Sequence, residues 1–168
     1  MARATGGTPA TVVLDRAAIT YRLHGYSLAE GVEPGRGGEN SYGEAVAAAI
    51  GIPADQVFKT LLTLVDGELV SAVVPVDSTL DLKSLAAALH AKRAELAPVA
   101  LAERTTGYVV GGISPLGQRK QTRTVIDESV ELFDTIFVSA GKRGLQVEID
   151  PSDLVALTTA VVAAIARQ

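Results

Sequence analysis

The chain has 168 residues, of which 48% are hydrophobic, 20% are charged and none is cysteine, with a net charge of −4. That length suits one domain with a sizeable core and argues against two independent cores. Without cysteine there is no disulfide, no thiolate nucleophile and no Cys-ligated metal, and the acidic balance speaks against a general nucleic-acid binder.

Residues 1–7 read as a frayed N-terminus and residues 8–168 as the domain. Thr8 caps a helix with Pro9 in its first turn, running through Ala18. Thr20 to His24 is a predicted first strand. Gly25 to Asn40 is rich in Gly, Pro and Glu and carries no periodicity, so it reads as a long loop. Ser41 and Glu44 have capping-box spacing, and the helix they start stops at Gly51. Val57 to Val65 and Glu68 to Val76 are β-branched apolar runs joined by Asp66-Gly67, a two-residue hairpin signal. Asp81 to His90 has helical apolar spacing at Leu82, Leu85, Ala86 and Leu89, and a short helix follows Pro98. Tyr108 to Gly112 reads as a strand entering the turn Ile113-Ser114-Pro115-Leu116-Gly117. Thr124–Asp127, Thr135–Ser139 and Leu145–Ile149 are further strands, the last two linked through Gly141-Lys142-Arg143-Gly144. Asp150-Pro151 caps a final helix, and the Ala-rich tail is expected to be helical. Hairpins mixed with helices, without β-α alternation, predict a single α+β domain with a curved mixed sheet.

Lys59 is the most informative residue, because it lies in Val57-Phe58-Lys59-Thr60-Leu61-Leu62, a run apolar on both faces. Burying its charge is costly. It either snorkels its ammonium to water from a strand end or aims a cation into a cleft to stabilise negative charge on a substrate. Gly111 and Gly112 either build a bulge or let a ligand approach backbone N–H groups suited to an ester oxyanion. Their spacing fits neither the dinucleotide nor the P-loop pattern, so no nucleotide cofactor is expected. His24 and His90 lack partners at metal-ligand spacing, which leaves no metal site predicted; His90 reads as a helix-end cap. Ser114 and Ser139 sit in no Gly-x-Ser-x-Gly elbow. Lys92-Arg93, then Arg119, Lys120 and Arg123, then Lys142 and Arg143 are basic groups in loops. They are either solvated charges or a local phosphate-facing patch on one rim.

The segments Tyr21–Tyr26, Ser41–Ala45, Val57–Leu61, Thr106–Gln118 and Val138–Leu145 together resemble the YbaK-type Cys-tRNA(Pro) deacylases, relatives of the editing domain inserted in some prolyl-tRNA synthetases. The long block Thr106–Gln118 and Phe58-Lys59-Thr60 carry most of that resemblance. It implies an α+β domain with a mixed, mostly antiparallel, β-barrel-like sheet flanked by helices, and a cleft where the aminoacylated 3′ end of tRNA is hydrolysed. The family's essential lysine falls on Lys59, its pocket tyrosine on Tyr26, a second pocket aromatic on Tyr42 and its strand-end backbone contact on Gly111. Thr60, Gly112, Ser114 and Ser139 join them as expected substrate contacts, and Arg119, Lys120, Arg123, Lys142 and Arg143 as tRNA contacts. In that family the cysteinyl thiol of the substrate attacks its own ester, so the protein supplies no nucleophile. Gly-Arg-Gly-Gly at 35–38 lengthens the loop before Ser41, and Gln146 stands where relatives often carry an acid.

The expected activity is hydrolysis of mischarged aminoacyl-tRNA, Cys-tRNA(Pro) first, with Ala-tRNA(Pro) or a broader range as the nearest rival. A non-catalytic binding module is the competing class. No cofactor is expected, the partners are an aminoacyl-tRNA 3′ end and prolyl-tRNA synthetase, and neither DNA nor membrane is implied. No stretch has the roughly 20 apolar residues of a membrane span and no leader pattern opens the chain, so a cytoplasmic location is expected.

Overall fold

The computed structural model describes residues 7–35 and 40–168; residues 1–6 and 36–39, which hold all of the 35–38 loop insertion but Gly35, lie outside them. Helix α1 (Pro9–Arg16) begins as the sequence predicts. The Thr8 hydroxyl accepts from the Thr11 N–H, and the Thr11 hydroxyl accepts in return from the Thr8 N–H. Strand β1 (Tyr21–Gly25) follows. Helix α2 (Ser41–Ile50) ends at Gly51 in the left-handed conformation, but its start is not the predicted capping box. Ser41 is already helical and Asn40 is the cap residue, with no side-chain bond to the helix. The Asn40 amide oxygen instead accepts from the Lys59 ammonium at 2.8 Å.

Strands β2 (Phe58–Val65) and β3 (Glu68–Pro75) form the predicted hairpin. Asp66 and Gly67 have φ of 48° and 84°, the two consecutive left-handed positions that a tight hairpin turn needs. Strand β4 (Thr79–Leu80) leads to helix α3 (Leu82–Ala88), capped by the Asp81 carboxylate. His90 lies beyond that helix at φ 56°, and its backbone N–H, rather than its ring, bonds the Ala87 carbonyl. Strand β5 (Ala94–Leu96) and helix α4 (Val99–Thr106) come next. Tyr108 to Gly112 forms no strand. Its backbone groups are taken by local partners: Val110 N–H by the Glu103 carboxylate, Val110 C=O by Arg143, and Gly112 N–H by the Val109 carbonyl.

Strands β6 (Arg123–Asp127), β7 (Ile136–Lys142) and β8 (Leu145–Ile149) then precede helix α5 (Pro151–Thr158), capped by Asp150. The tail is not helical. Thr159 turns left-handed at φ 52°, and strands β9 (Val161–Ala163) and β10 (Ala166–Arg167) follow. The buried Asp127 carboxylate accepts the N–H groups of Ile165 and Ala166 and so fixes the tail extended.

The strands pair as β5-β2-β3-β6-β9, β1-β8-β7 and β10-β4. Only the β3–β6 and β6–β9 pairings are parallel, so the sheet system is mixed and mostly antiparallel, as expected. The two larger sheets meet at one parallel bridge, Val57 with Phe137, and do not close into a ring among the described residues. Strand β3 is buried on both faces. Val73 joins the core formed by Leu14, Ile126, Val138, Val147 and Leu154, while Val70, Ala72 and Val74 pack with Leu85, Val125 and Ile165. A third cluster of Ala47, Val57, Val76 and Phe137 seats α2 over the bridge.

Candidate active site

Strand β5 pairs with β2 only from Thr63 to Val65, so the edge of β2 from Phe58 to Leu61 has no strand beside it. At the other end, β2 and β7 touch at the Val57–Phe137 bridge and then part. A cavity of about 430 Å³ occupies this opening, within the usual range of small-molecule sites (roughly 300–1,000 Å³). Its floor comes from β2, its walls from α2, α4 and the Val110–Ile113 loop, and its far side from Ser139 and Gln146.

Lys59 is the only charged residue among the described residues that line this cavity. It is half-buried and registers with Val74 on the central strand, and its ammonium is oriented by the 2.8 Å bond to Asn40. The snorkelling alternative is therefore set aside: the side chain lies in the cleft wall. Tyr42, Thr60, Gly111 and Ser139 line the same cavity, so five of the eight expected catalytic and substrate-contacting residues converge. The Thr60 hydroxyl is buried with no hydrogen-bond partner, as is the side-chain oxygen of Gln146. Buried polar atoms are normally paired, so each leaves an acceptor unused among the described residues.

Tyr42 has its phenol pushed up to about 12, first by burial and then by the neighbouring Tyr26 phenol, while Arg143 pulls the other way. It is therefore a neutral hydroxyl that can donate. Tyr26 neighbours Tyr42 but is not among the residues lining the cavity. Its buried hydroxyl lacks a partner of ordinary hydrogen-bond geometry, yet it is close enough to influence Tyr42.

Gly111 has φ 92°, and a Cβ there would meet Pro34 Cγ at 2.6 Å and Arg143 Nε at 2.9 Å. Only glycine fits between the Pro34 loop and the Arg143 side chain. Gly112 does not line the cavity. Its N–H is already donated to Val109, and a Cβ would strike the Lys142 backbone at 2.7 Å, so this glycine closes the loop onto the β7–β8 hairpin. Ser114 is likewise away from the site: it is fully buried, and its hydroxyl accepts from the Leu116 N–H.

The basic residues have different neighbours. Arg143 bonds Val110 and sits beside Gly111 and Tyr42. Arg119 packs on Gly107 behind α4. Arg123 faces Glu68 at 3.6 Å and registers with Val70, four residues along β3 from the partner of Lys59, or roughly 13 Å at strand rise. Lys120 is exposed in the loop behind α4, and Lys142 is exposed at the end of β7. Asn40, Gln146 and the aliphatic wall of Leu61, Leu96, Val99 and Val110 were not among the predicted site residues. No local motif marks them, because they meet only when β2 and β7 part.

Residues 40–157 match the family model described as "Aminoacyl-tRNA editing domain". The chain belongs to the aminoacyl-tRNA editing family. Every residue lining the cavity except Pro34 and Gly35 falls inside the matched stretch of this editing domain. It is 44% identical over 117 residues, 68% of the chain and 71% of the relative, to the "Putative Cys-tRNA(Pro)/Cys-tRNA(Cys) deacylase EbsC" of Enterococcus faecalis. It is 39% identical over 88 residues to a proline–tRNA ligase of Nitratidesulfovibrio vulgaris, 52% of the chain but 15% of that enzyme. Among solved structures, "hypothetical protein APE2540" superposes at TM-score 0.80 with 25% identity, covering 95% of this editing domain and 99% of that chain. A "putative trans-editing enzyme for prolyl tRNA synthetase" superposes at 0.77 with 18% identity, covering 95% and 96%, which shows a shared fold. No helix among the described residues is long and apolar enough to cross a membrane.

Proposed function

We propose that this editing domain is a trans-acting deacylase that hydrolyses mischarged aminoacyl-tRNA, with Cys-tRNA(Pro) as its first substrate. The observation that supports this reading is that, among the described residues, Lys59 is the one cation lining a cavity that also contains Tyr42, Gly111, Ser139 and two polar side-chain atoms without a partner there. The aminoacyl ester lies with its carbonyl between Lys59 and the Gly111 backbone. Attack on that carbonyl makes a tetrahedral oxyanion, which the ammonium and the Gly111 N–H stabilise. Gly112 takes no part, because its amide is already bonded.

The chain has no cysteine, Ser114 is enclosed and the Ser139 hydroxyl is engaged by the Gly141 N–H. As the family resemblance implies, the nucleophile proposed for a cysteinyl ester is the substrate's own thiol. With a cysteinyl ester, the substrate thiol bonds its own carbonyl carbon, the ribose oxygen leaves with a proton, and the released thiolactone is opened by water to free cysteine. Water takes that role for other amino acids. Tyr42 donates to the aminoacyl group or ribose as a neutral phenol.

Prolyl-tRNA synthetase is the proposed partner that supplies tRNA identity, a reading supported by the segment of proline–tRNA ligase that this domain resembles. Incubating the full chain with Cys-, Ala- and Pro-charged tRNA(Pro) tests the activity. Release of cysteine ahead of alanine, with proline retained, is expected. Saturable binding without release of any amino acid would show a binding module instead.

A further inference from the structure

Leu96 and Val99 both line the cavity, yet they are 59% and 58% exposed, among the most exposed large apolar side chains of the described residues. They stand on either side of Ala97-Pro98, where the edge strand β5 gives way to α4, and the Ala97 N–H pins this lip to the Leu62 carbonyl. The rim can be followed onward from the lip. Glu103 of α4 holds the Val110 N–H at 2.9 Å, and Arg143 holds the Val110 carbonyl at 2.8 Å. Arg143 and Pro34 then close on Gly111. Among the described residues the mouth thus carries an apolar shelf and, along the same rim, the Arg143 guanidinium.

We propose that Leu96 and Val99 form the platform for the terminal nucleobase of the aminoacylated RNA, with Arg143 taking the phosphate on its 5′ side. The inference rests on the ester lying at Lys59. The ribose is bonded directly to that ester, so its base must rest at the cavity mouth. A base offers a flat apolar face, and an aliphatic shelf receives it without reading its edge, which suits an end shared by every tRNA. The Arg143 guanidinium, anchored through Nε to the Val110 carbonyl, matches the charge that comes next along the strand.

The test uses the full chain with methyl-labelled leucine and valine, titrated with adenosine 5′-monophosphate and separately with ribose 5-phosphate. Ring-current shifts at the Leu96 and Val99 methyls are expected with the nucleotide and not with the sugar phosphate. Equal effects of the two ligands, or shifts confined to other methyls, would overturn the platform. Leu96→Ser and Val99→Ser, both at exposed positions that empty no core, should each raise KM for aminoacyl-tRNA roughly tenfold while kcat holds. A fall in kcat with KM steady would also count against it. Methyl shifts in a chain that deacylates nothing would keep the platform and sink the deacylase reading; deacylation without the shifts would do the reverse.

Discussion

An ammonium about 4 Å from a unit of developing negative charge contributes on the order of 4 kcal/mol at an effective dielectric near 20, and among the described residues Lys59 is the one cation lining the cavity where the ester is proposed to lie. Lys59→Ala should lower the single-turnover deacylation rate roughly a hundred- to thousand-fold, with the melting temperature kept because the side chain is only half-buried. Asn40 is bonded to that ammonium, so Asn40→Ala should slow the reaction less than loss of the lysine itself, measured on the same substrate. Glu148 behaves differently. The Thr135 hydroxyl and then His24 hold its carboxyl below the usual value. A carboxylate with a depressed folded pKa stabilises above its unfolded pKa and loses that contribution as pH falls through the folded one. Glu148→Gln should therefore reduce stability at neutral pH and flatten its decline on acidification, as read from urea melts at a series of pH values.

At the level of elements, α2 approaches β3 so closely that a Cβ on Gly43 would meet Val76 Cβ at 2.5 Å. Gly43→Ala must move the helix or the valine, both of which line the cavity. It should destabilise the fold by about 1–3 kcal/mol through overpacking and weaken substrate binding, seen together in thermal melts and KM. Much of this architecture was legible beforehand. Thr8-Pro9, Asp66-Gly67, Gly51 and Asp150-Pro151 each state their own local chemistry, and the apolar run around Lys59 announces a central strand. What failed was set at a distance. Tyr108–Gly112 looks like a strand by composition, but a carboxylate on α4 and a guanidinium from the β7–β8 turn take its backbone groups. The alanines of the tail favour helix, yet Asp127, nearly forty residues earlier, claims the Ile165 and Ala166 N–H groups. Asp127→Ala should leave those buried donors unpaired, at about 1–3 kcal/mol, and hydrogen exchange should speed up at 165–167 and at their partners in β4. Leu96 escaped notice, and Gln146 was marked only as a departure from relatives, for the same reason: the cavity they line exists only where two sheets diverge.

Across the whole molecule, electrostatics sets the limit on RNA binding. The chain carries 15 basic and 19 acidic residues, and its basic loops point to different places: Arg143 to the cavity rim, Arg119 behind α4, Arg123 to Glu68. Among the described residues, a tRNA end seated at Lys59 as proposed thus meets the Arg143 guanidinium at the rim rather than a stripe. Each single-strand phosphate neutralised adds about −0.7 to the slope of log Kobs against log salt. The full chain should show a shallow slope, on the order of −1, and little preference among uncharged tRNAs in filter binding. Arg143→Ala should remove most of that slope, whereas Arg123→Ala, already facing an acid, should leave it nearly intact. If identity is supplied by prolyl-tRNA synthetase, adding the synthetase should steepen discrimination for Cys-tRNA(Pro) over other cysteinylated tRNAs without altering the rate constant at saturation. Tight, salt-resistant and tRNA(Pro)-specific binding by the isolated chain would instead place the recognition surface within this domain.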